Sequence, residues 1–567
     1  ENILFSLPAG ARPVRPCLIN HYSLYLEGER NSLRITHYAL RIVTCFLVLM
    51  IICAGTSDCS AKKKKIQEKV LYIPHDSRPI VNKQTIEVLE KAGWAVVSPP
   101  LELLGNRENL GDPDLLWDWL NKNAKKDITA AVISSDALLY GSLVGSRKHE
   151  YDGDEILARA DLFAEFRKKH KKIPLYVFGS IMRTPRTGLA SGYEEPDYYR
   201  YYGTNIFRLT ELMDKQELEG LTPREIKEFN FLQRLIPQKA IEDWMGRREK
   251  NFDANKKLID YARDKTFDYL LLGRDDNAPY SQTHNEGRKL LQYGRGLEKN
   301  KYITTAGIDE IGLVLLTRAV NKQANISPKI FVKYNFGRGG QTIPAYSDEQ
   351  LDDSIGAAIQ ATGATFTEDE SRADLILAVN TNPDGETFEA DNAINDGTAR
   401  EGTKFFVDTV QNYVGQNKKI IVADVAFANG SDNALMNQLR RRGLLFKIQA
   451  YSGWNTPTNS TGFALSTGIL AARMKDNAVD ELLLHRYLDD WAYQANVRSV
   501  GASQLNWIAG DGRYEFLNDK ILAAEDNCAS LLEEFAQRNL PKFTGNDNIR
   551  VRFPWNRMFE ADISFGK

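Results

Sequence analysis

The chain has 567 residues, 26% of them charged, and a formal net charge of −2. That length holds two or more domains of ordinary globular composition, and the near-neutral charge offers no electrostatic footprint for a nucleic acid. Four of the five cysteines, Cys17, Cys45, Cys53 and Cys59, fall in the first 61 residues. Cys528 stands alone in the rest, which excludes an intramolecular disulfide or a cysteine metal site there.

Residues 1–61 read as a leader rather than as part of the fold. The run 42–54, IVTCFLVLMIICA, is interrupted only by Thr44 and preceded by Arg34 and Arg41. A bilayer span needs about 20 apolar residues, so this shorter run is expected to be a signal-peptide core. Cleavage after Ala61, or lipidation at Cys53 or Cys59, is the expected processing. The expected location is periplasmic or, with a lipid anchor, on the outer membrane or cell surface. Residues 62–69, with the lysine run 62–65, would be a tether.

From residue 70 onward, ten short apolar runs alternate with helical patterns. They are 70–74, 95–100, 130–134, 175–179, 269–273, 302–307, 330–334, 375–379, 420–425 and 446–451. Strands alternating with helices predict an α/β architecture with a mainly parallel sheet. Over 70–475 the expected form is a (β/α)8-barrel-like catalytic body with extra strands. The alternative is two doubly wound lobes dividing near residue 325. A helical insertion is expected over 193–262, opened by the tyrosine-rich GYEEPDYYRYYG, a lid or substrate wall if it is not simply packed helix. Residues 476–567 are expected to be helical and to end in a pair of strands within IRVRFPWNRMFEADISF.

The residues at the strand ends are more informative. His75, Asp76 and Arg78 come after the first strand, Asp136 after the third, and Arg183 after the fourth. Arg274, Asp275 and Asp276 come after the fifth, and Asp309 and Glu310 after the sixth. Asp424 ends the ninth, with Asn429 beyond it, and Trp454, Asn455 and Asn459 come after the tenth. Each cluster alone is ordinary turn or cap chemistry. Recurrence at successive strand ends is the pattern by which α/β enzymes collect a site on one face.

Asp275 and Asp276 are the expected catalytic pair, because glycosidic hydrolysis needs one carboxyl to protonate the leaving oxygen and one to act as nucleophile or base. Adjacent residues on an extended strand point to opposite faces. The two can share a pocket only if the chain turns between them, and Asn277 and Pro279 favour a turn. Substrate contacts are expected from His75, Asp76, Arg78, Asp136, Arg274, Asp309, Glu310, Asp424, Asn429, Trp454, Asn455 and Asn459. No cofactor is expected: there is no P-loop, dinucleotide fingerprint, HExxH or GxSxG. The glycine-rich 336–340 lacks phosphate-cradling spacing and reads as a flexible turn.

The ordered set PHDSRP, SSDALLYGSLVGSR, RTPR, GRDDNAPY, ADVAFANG and YSGWNTPTN resembles a bacterial family catalogued as a domain of unknown function. The resemblance runs from about residue 70 to 473 or beyond. The adjacent aspartates and the late Trp-Asn…Asn loop also resemble the hyaluronidase-like β-N-acetylglucosaminidases, which cleave with substrate assistance on a (β/α)8 barrel. That second resemblance implies that Asp275 orients an acetamido group and that Asp276 is the acid/base. It further implies that Trp454, Asn455 and Asn459 bind sugar hydroxyls. The chain departs from it in having more strands and in reading GWNTPTN in the late loop. The expected function is an exported glycoside hydrolase with a carbohydrate substrate. The alternatives are a non-catalytic glycan-binding lipoprotein, or a metal-assisted hydrolase built on His75, Asp76, Asp136 and Asp275.

Overall fold

All ten apolar runs contribute to parallel strands. The computed structural model describes residues 67–186, 193–509, 515–543 and 548–566. The expected signal-peptide core 42–54 and the expected lipidation sites Cys53 and Cys59 lie outside the described residues. Six strands, β1 (Lys69–Ile73), β2 (Ala95–Val97), β3 (Ile128–Ser134), β4 (Leu175–Ile181), β5 (Tyr269–Arg274) and β6 (Tyr302–Ala306), form one parallel sheet. Its order is β2-β1-β3-β4-β5-β6.

A second parallel sheet begins at β7 (Lys329–Tyr334) and adds β8 (Thr365–Phe366), β9 (Leu375–Asn380), β11 (Ile420–Asp424) and β13 (Ala450–Ser452). Its order is β13-β11-β9-β7-β8. Two shorter strands, β10 (Phe388–Glu389) and β12 (Phe427–Ala428), pair beside it.

The topology corrects the barrel expectation, and with it the barrel implied by the second resemblance. β2 and β6 are free edges of the first sheet, and the chain starts a new sheet at β7 instead of closing the first. After β2 the chain crosses back over β1 to lay down β3, so each sheet is wound outward from an internal reversal. The alternative of doubly wound sheets describes the arrangement. The change falls after the helix Ile311–Ala324, which Asn325 ends in a left-handed conformation at φ 53°.

Strand alternation builds the cores. Leu71, Ile133, Val177, Leu270 and Leu272 point to one face of the first sheet. Tyr72, Val132, Phe178, Tyr269 and Leu271 point to the other. Helices cover both faces, which is why these strands are apolar throughout. The helix Pro457–Ala471 is buried along its length and serves both sheets: Phe463 and Leu470 join the first sheet's core, Leu465 and Ile469 the second's. Pro457 starts it and Thr456 caps it, which fixes Asn459 in its first turn, facing the strand ends.

Helices Tyr199–Leu218, Pro223–Leu235 and Gln238–Arg263 come after β4 and gather around the buried Trp244. The C-terminal helices pack on the second sheet and end in an antiparallel pair, β14 (Asn548–Arg552) and β15 (Asp562–Gly566). The connection 553–561 between these last strands reaches back to the first sheet, where Trp555 Nε1 donates to Ser77 Oγ at 3.1 Å.

Candidate functional site

The C-terminal ends of β1, β5 and β6 meet the loops after β12 and β13 around a cavity of about 200 Å³. Backbone geometry opens it. Gly307, just past β6, has φ +93°, and a Cβ there would lie 2.3 Å from Glu310 Oε1. Asp276 comes after β5 with φ +20°. The chain does turn between the two aspartates, and both line the cavity.

The wall is a lattice of guanidinium–carboxylate pairs. Arg78 donates bidentately to Asp309 at 2.9 and 2.6 Å and also from Nε to Asp76 at 3.0 Å, tying the β1 loop to the β6 loop. Asn455 Nδ2 donates to the same Asp309 at 3.0 Å, and Asn459 Oδ1 accepts from the Ile308 amide at 3.2 Å. The loop after β13 is thereby fastened to the loop after β6. Arg147 donates to Asp275 at 2.6 Å and to Glu194 at 2.7 Å. Arg183 reaches Asp276 and Glu194, both at 3.1 Å, and Glu195 at 2.8 Å. Arg557 completes the set by donating to Glu194 and chelating Glu560.

Seven carboxyls face the cavity (Asp76, Glu194, Asp275, Asp276, Asp309, Glu515 and Glu560) against four guanidinia (Arg78, Arg147, Arg183 and Arg557). The acidic excess falls unevenly on the individual groups. Burial opposes ionisation of Glu194, yet Arg557, Arg183 and Arg147 draw its carboxyl well below the usual range. Burial and the neighbouring Asp275 push the Asp276 carboxyl up to about 6, against the pull of Arg183. Its side chain is 30% exposed, towards the cavity. An aromatic wall is supplied by Trp555, which lies between Arg78 and Arg557, each guanidinium 5.4 Å from the ring centroid.

Eight of the expected residues line this cavity: Asp76, Arg78, Asp275, Asp276, Asp309, Asn429, Asn455 and Asn459. His75 and Asp136 lie beneath it as a buried strand clamp. His75 Nδ1 is 3.0 Å from Ser134 Oγ and 3.1 Å from Asp136 Oδ2, and Asp136 accepts from the amide and hydroxyl of Ser180. Glu310 is behind Gly307, against Gly462 of the long buried helix, and burial raises its carboxyl to about 8.

The other three lie elsewhere. Arg274 keeps the parity of Leu272 on β5 and points away, donating to Asp348, Glu349 and Thr304 in the space that Gly287 leaves. Asp424 sits at the end of the second sheet, accepting from Asn380, Tyr451 and the Asp432 amide. Trp454 is 2% exposed in the core, 5.7 Å from the Phe559 ring. Among the described residues, no group of three or more His, Cys, Asp or Glu is arranged to hold a metal. His75 pairs with Asp136, while Asp76 is held by Arg78 and Asp275 by Arg147, so the four form no common ligand set.

Sequence reasoning missed Arg147, Glu515, Trp555, Arg557, Phe559 and Glu560 as site residues. Glu194 lay within the GYEEPDYYRYYG segment already marked as a wall, and Arg147 closes the motif SSDALLYGSLVGSR. The terminal FPWNRMFE carried a signal too, three aromatics interleaved with Arg557 and Glu560, but only folding brings it some 480 residues back to the β1 loop.

No curated protein matches the chain. The family described as "Protein of unknown function (DUF4127)" matches residues 70–564, from the first residues of β1 into β15, and the chain belongs to that family.

Proposed function

We propose that the protein is a glycoside hydrolase acting on a glycan outside the cytoplasm, with Asp276 as the general acid. The observation that carries this reading is the contrast between two neighbouring carboxyls on one cavity wall. Both are paired with an arginine, Asp275 with Arg147 and Asp276 with Arg183, but Asp275 is buried, whereas Asp276 is partly open to the cavity and its carboxyl is raised to about 6. A carboxyl raised towards neutrality and open to the cavity suits a general acid. In the substrate-assisted form, Asp276 protonates the leaving oxygen while Asp275 orients an acetamido group. Asn429, whose buried Oδ1 lacks a partner, and Asn455 offer carboxamides that pair with hydroxyls as donor or acceptor.

Export rests on the run 42–54 and its basic flank. N-terminal analysis of the mature protein from its host is expected to show loss of roughly the first 52 to 61 residues; an intact, unlipidated cytoplasmic chain would overturn that part. The catalytic reading is tested on a panel of aryl glycosides, including N-acetylhexosaminides, with and without chelator. Turnover that survives the chelator and is lost in Asp276→Asn supports it. Saturable glycan binding without turnover would instead make this a binding protein, and loss of turnover with chelator would make it a metal-assisted enzyme.

A further inference from the structure

A second cavity, of about 340 Å³, opens at the C-terminal end of the other sheet and shares no lining residue with the first. Topology places it. From β7 the chain steps outward to β8, then returns past β7 to lay down β9, β11 and β13, so the winding reverses between β7 and β9. Open parallel sheets leave a crevice at such a reversal, and ligands bind there. Asn335 and Phe336 after β7, Thr381 after β9, and the start of the helix Glu401–Gly415 line this one.

That helix begins without a side-chain cap. Its neighbours are capped, Asn433–Arg441 by Asp432 and Pro457–Ala471 by Thr456. The amides of Glu401, Gly402 and Thr403 have no intrahelical acceptor and stand at the positive end of the helix dipole, where anions bind. A second observation is independent of the helix end. Thr381 and Thr403 line the cavity at 2% and 3% exposure, and the Oγ1 of each has no hydrogen-bond partner.

Arg400 adds a cation, with one guanidinium nitrogen committed to Asp432. Asp432 is itself occupied, one oxygen capping its helix and the other accepting from Asn380 and Arg400. Glu401, the other carboxylate of the lining, is exposed and screened by solvent. Gly402 leaves the approach open. A Cβ there would stand 3.4 Å from Asn335 Nδ2 and Pro383 Cγ and 3.6 Å from Phe336 Cε1, all cavity walls. Phe336 is 38% exposed and meets Phe405, 45% exposed, edge to face at 5.5 Å.

We propose that this cavity binds the phosphoryl group of a small, ring-bearing phosphomonoester. The three amides, the two threonine hydroxyls and Arg400 hold the oxygens, and the ring packs on Phe336. Six donors exceed what the two oxygens of a carboxylate use and suit the three acceptor oxygens of a phosphoryl group. The site is separate from the proposed hydrolytic cavity and does not depend on that reading.

Titration calorimetry of the full chain with phenyl phosphate, inorganic phosphate and benzoate tests it. Phenyl phosphate is expected to bind saturably, inorganic phosphate more weakly, and benzoate not measurably. Gly402→Ala, which sets a methyl group in the cradle while favouring the helix, and Thr403→Val, which removes one hydroxyl at near-constant shape, are each expected to weaken phenyl phosphate about tenfold. Phe336→Ala is expected to weaken phenyl phosphate and spare inorganic phosphate. Should Gly402→Ala lower the melting temperature, Thr403→Val decides alone. Absence of saturable binding, benzoate binding equal to phenyl phosphate, or affinity unchanged in Thr403→Val would each overturn the proposal; the last would move the anion to the arginines of the first cavity.

Discussion

Arg147 Nη2 donates to Asp275 Oδ2 at 2.6 Å within the cavity wall, and the same guanidinium holds Glu194 at 2.7 Å through Nη1. One aspartate of the adjacent pair is thus part of the scaffold, while the other, Asp276, accepts from Arg183 at 3.1 Å and keeps a face towards the cavity. Strand position alone does not distinguish the two residues. Their partners do.

The two isosteric variants are therefore expected to separate. Asp276→Asn should lose about 10²–10⁴-fold in turnover at near-parental stability. Asp275→Asn should lose activity comparably and also cost about 2 kcal/mol, since Arg147 would give up one of two charged acceptors in a buried setting. Urea unfolding and aryl-glycoside kinetics measure both. Turnover within about two-fold of the parent in both variants would remove the pair from catalysis.

The pH profile carries a second prediction. Asp276 must be protonated to act as an acid, and burial and Asp275, against Arg183, set its carboxyl at about 6. With a poor leaving group, kcat/KM is expected to fall about tenfold per pH unit above that value. Substrates with nitrophenyl leaving groups should show a weaker alkaline limb, and Asp276→Asn none. An alkaline limb retained in Asp276→Asn would assign the acid to another group.

Glu310 and Glu194 should shift stability in opposite pH windows. Burial raises Glu310 from 4.5 to about 8, so between those values the folded protein keeps a proton that the unfolded chain has released. Stability then falls as pH climbs through that window and levels beyond it. Glu310→Gln, a mimic of the neutral acid, is expected to gain melting temperature on the parent from about pH 4.5 to about pH 8. Glu194 is depressed instead, so its contribution is complete above 4.5 and is lost as pH falls below it. Glu194→Gln leaves three arginines short of an acceptor and should cost about 3–5 kcal/mol at neutral pH, a gap that narrows in acid. A gap that does not change with pH would contradict this assignment.

Trp454→Ala is expected to act on the fold rather than on binding. The indole is buried in the first sheet's core and touches Phe559, and deleting such a ring costs about 3–5 kcal/mol. Denaturant midpoints measure it. A variant as stable as the parent, with weakened glycan binding, would return Trp454 to the site.

The apolar runs were enough to locate all ten expected strands, because most of them are buried on both faces and so must be apolar throughout, and that is a local property. The polar residues waiting at strand ends were equally legible, and eight of them, from Asp76 to Asn459, line the first cavity. Closure was not legible. A barrel and a pair of reversed sheets use the same strands and helices and differ only in which strand lies beside which. Side-chain direction also lay beyond it: one residue of parity sends Arg274 to Asp348 while Asp275 faces the cavity, and packing takes Trp454 inward while Trp555 arrives from the other end of the chain. Local chemistry, read residue by residue, determined which groups stand at the strand ends. Only the tertiary structure decided which of them meet, because an ion pair such as Arg78 with Asp309 joins positions 231 residues apart, and no local pattern encodes that distance.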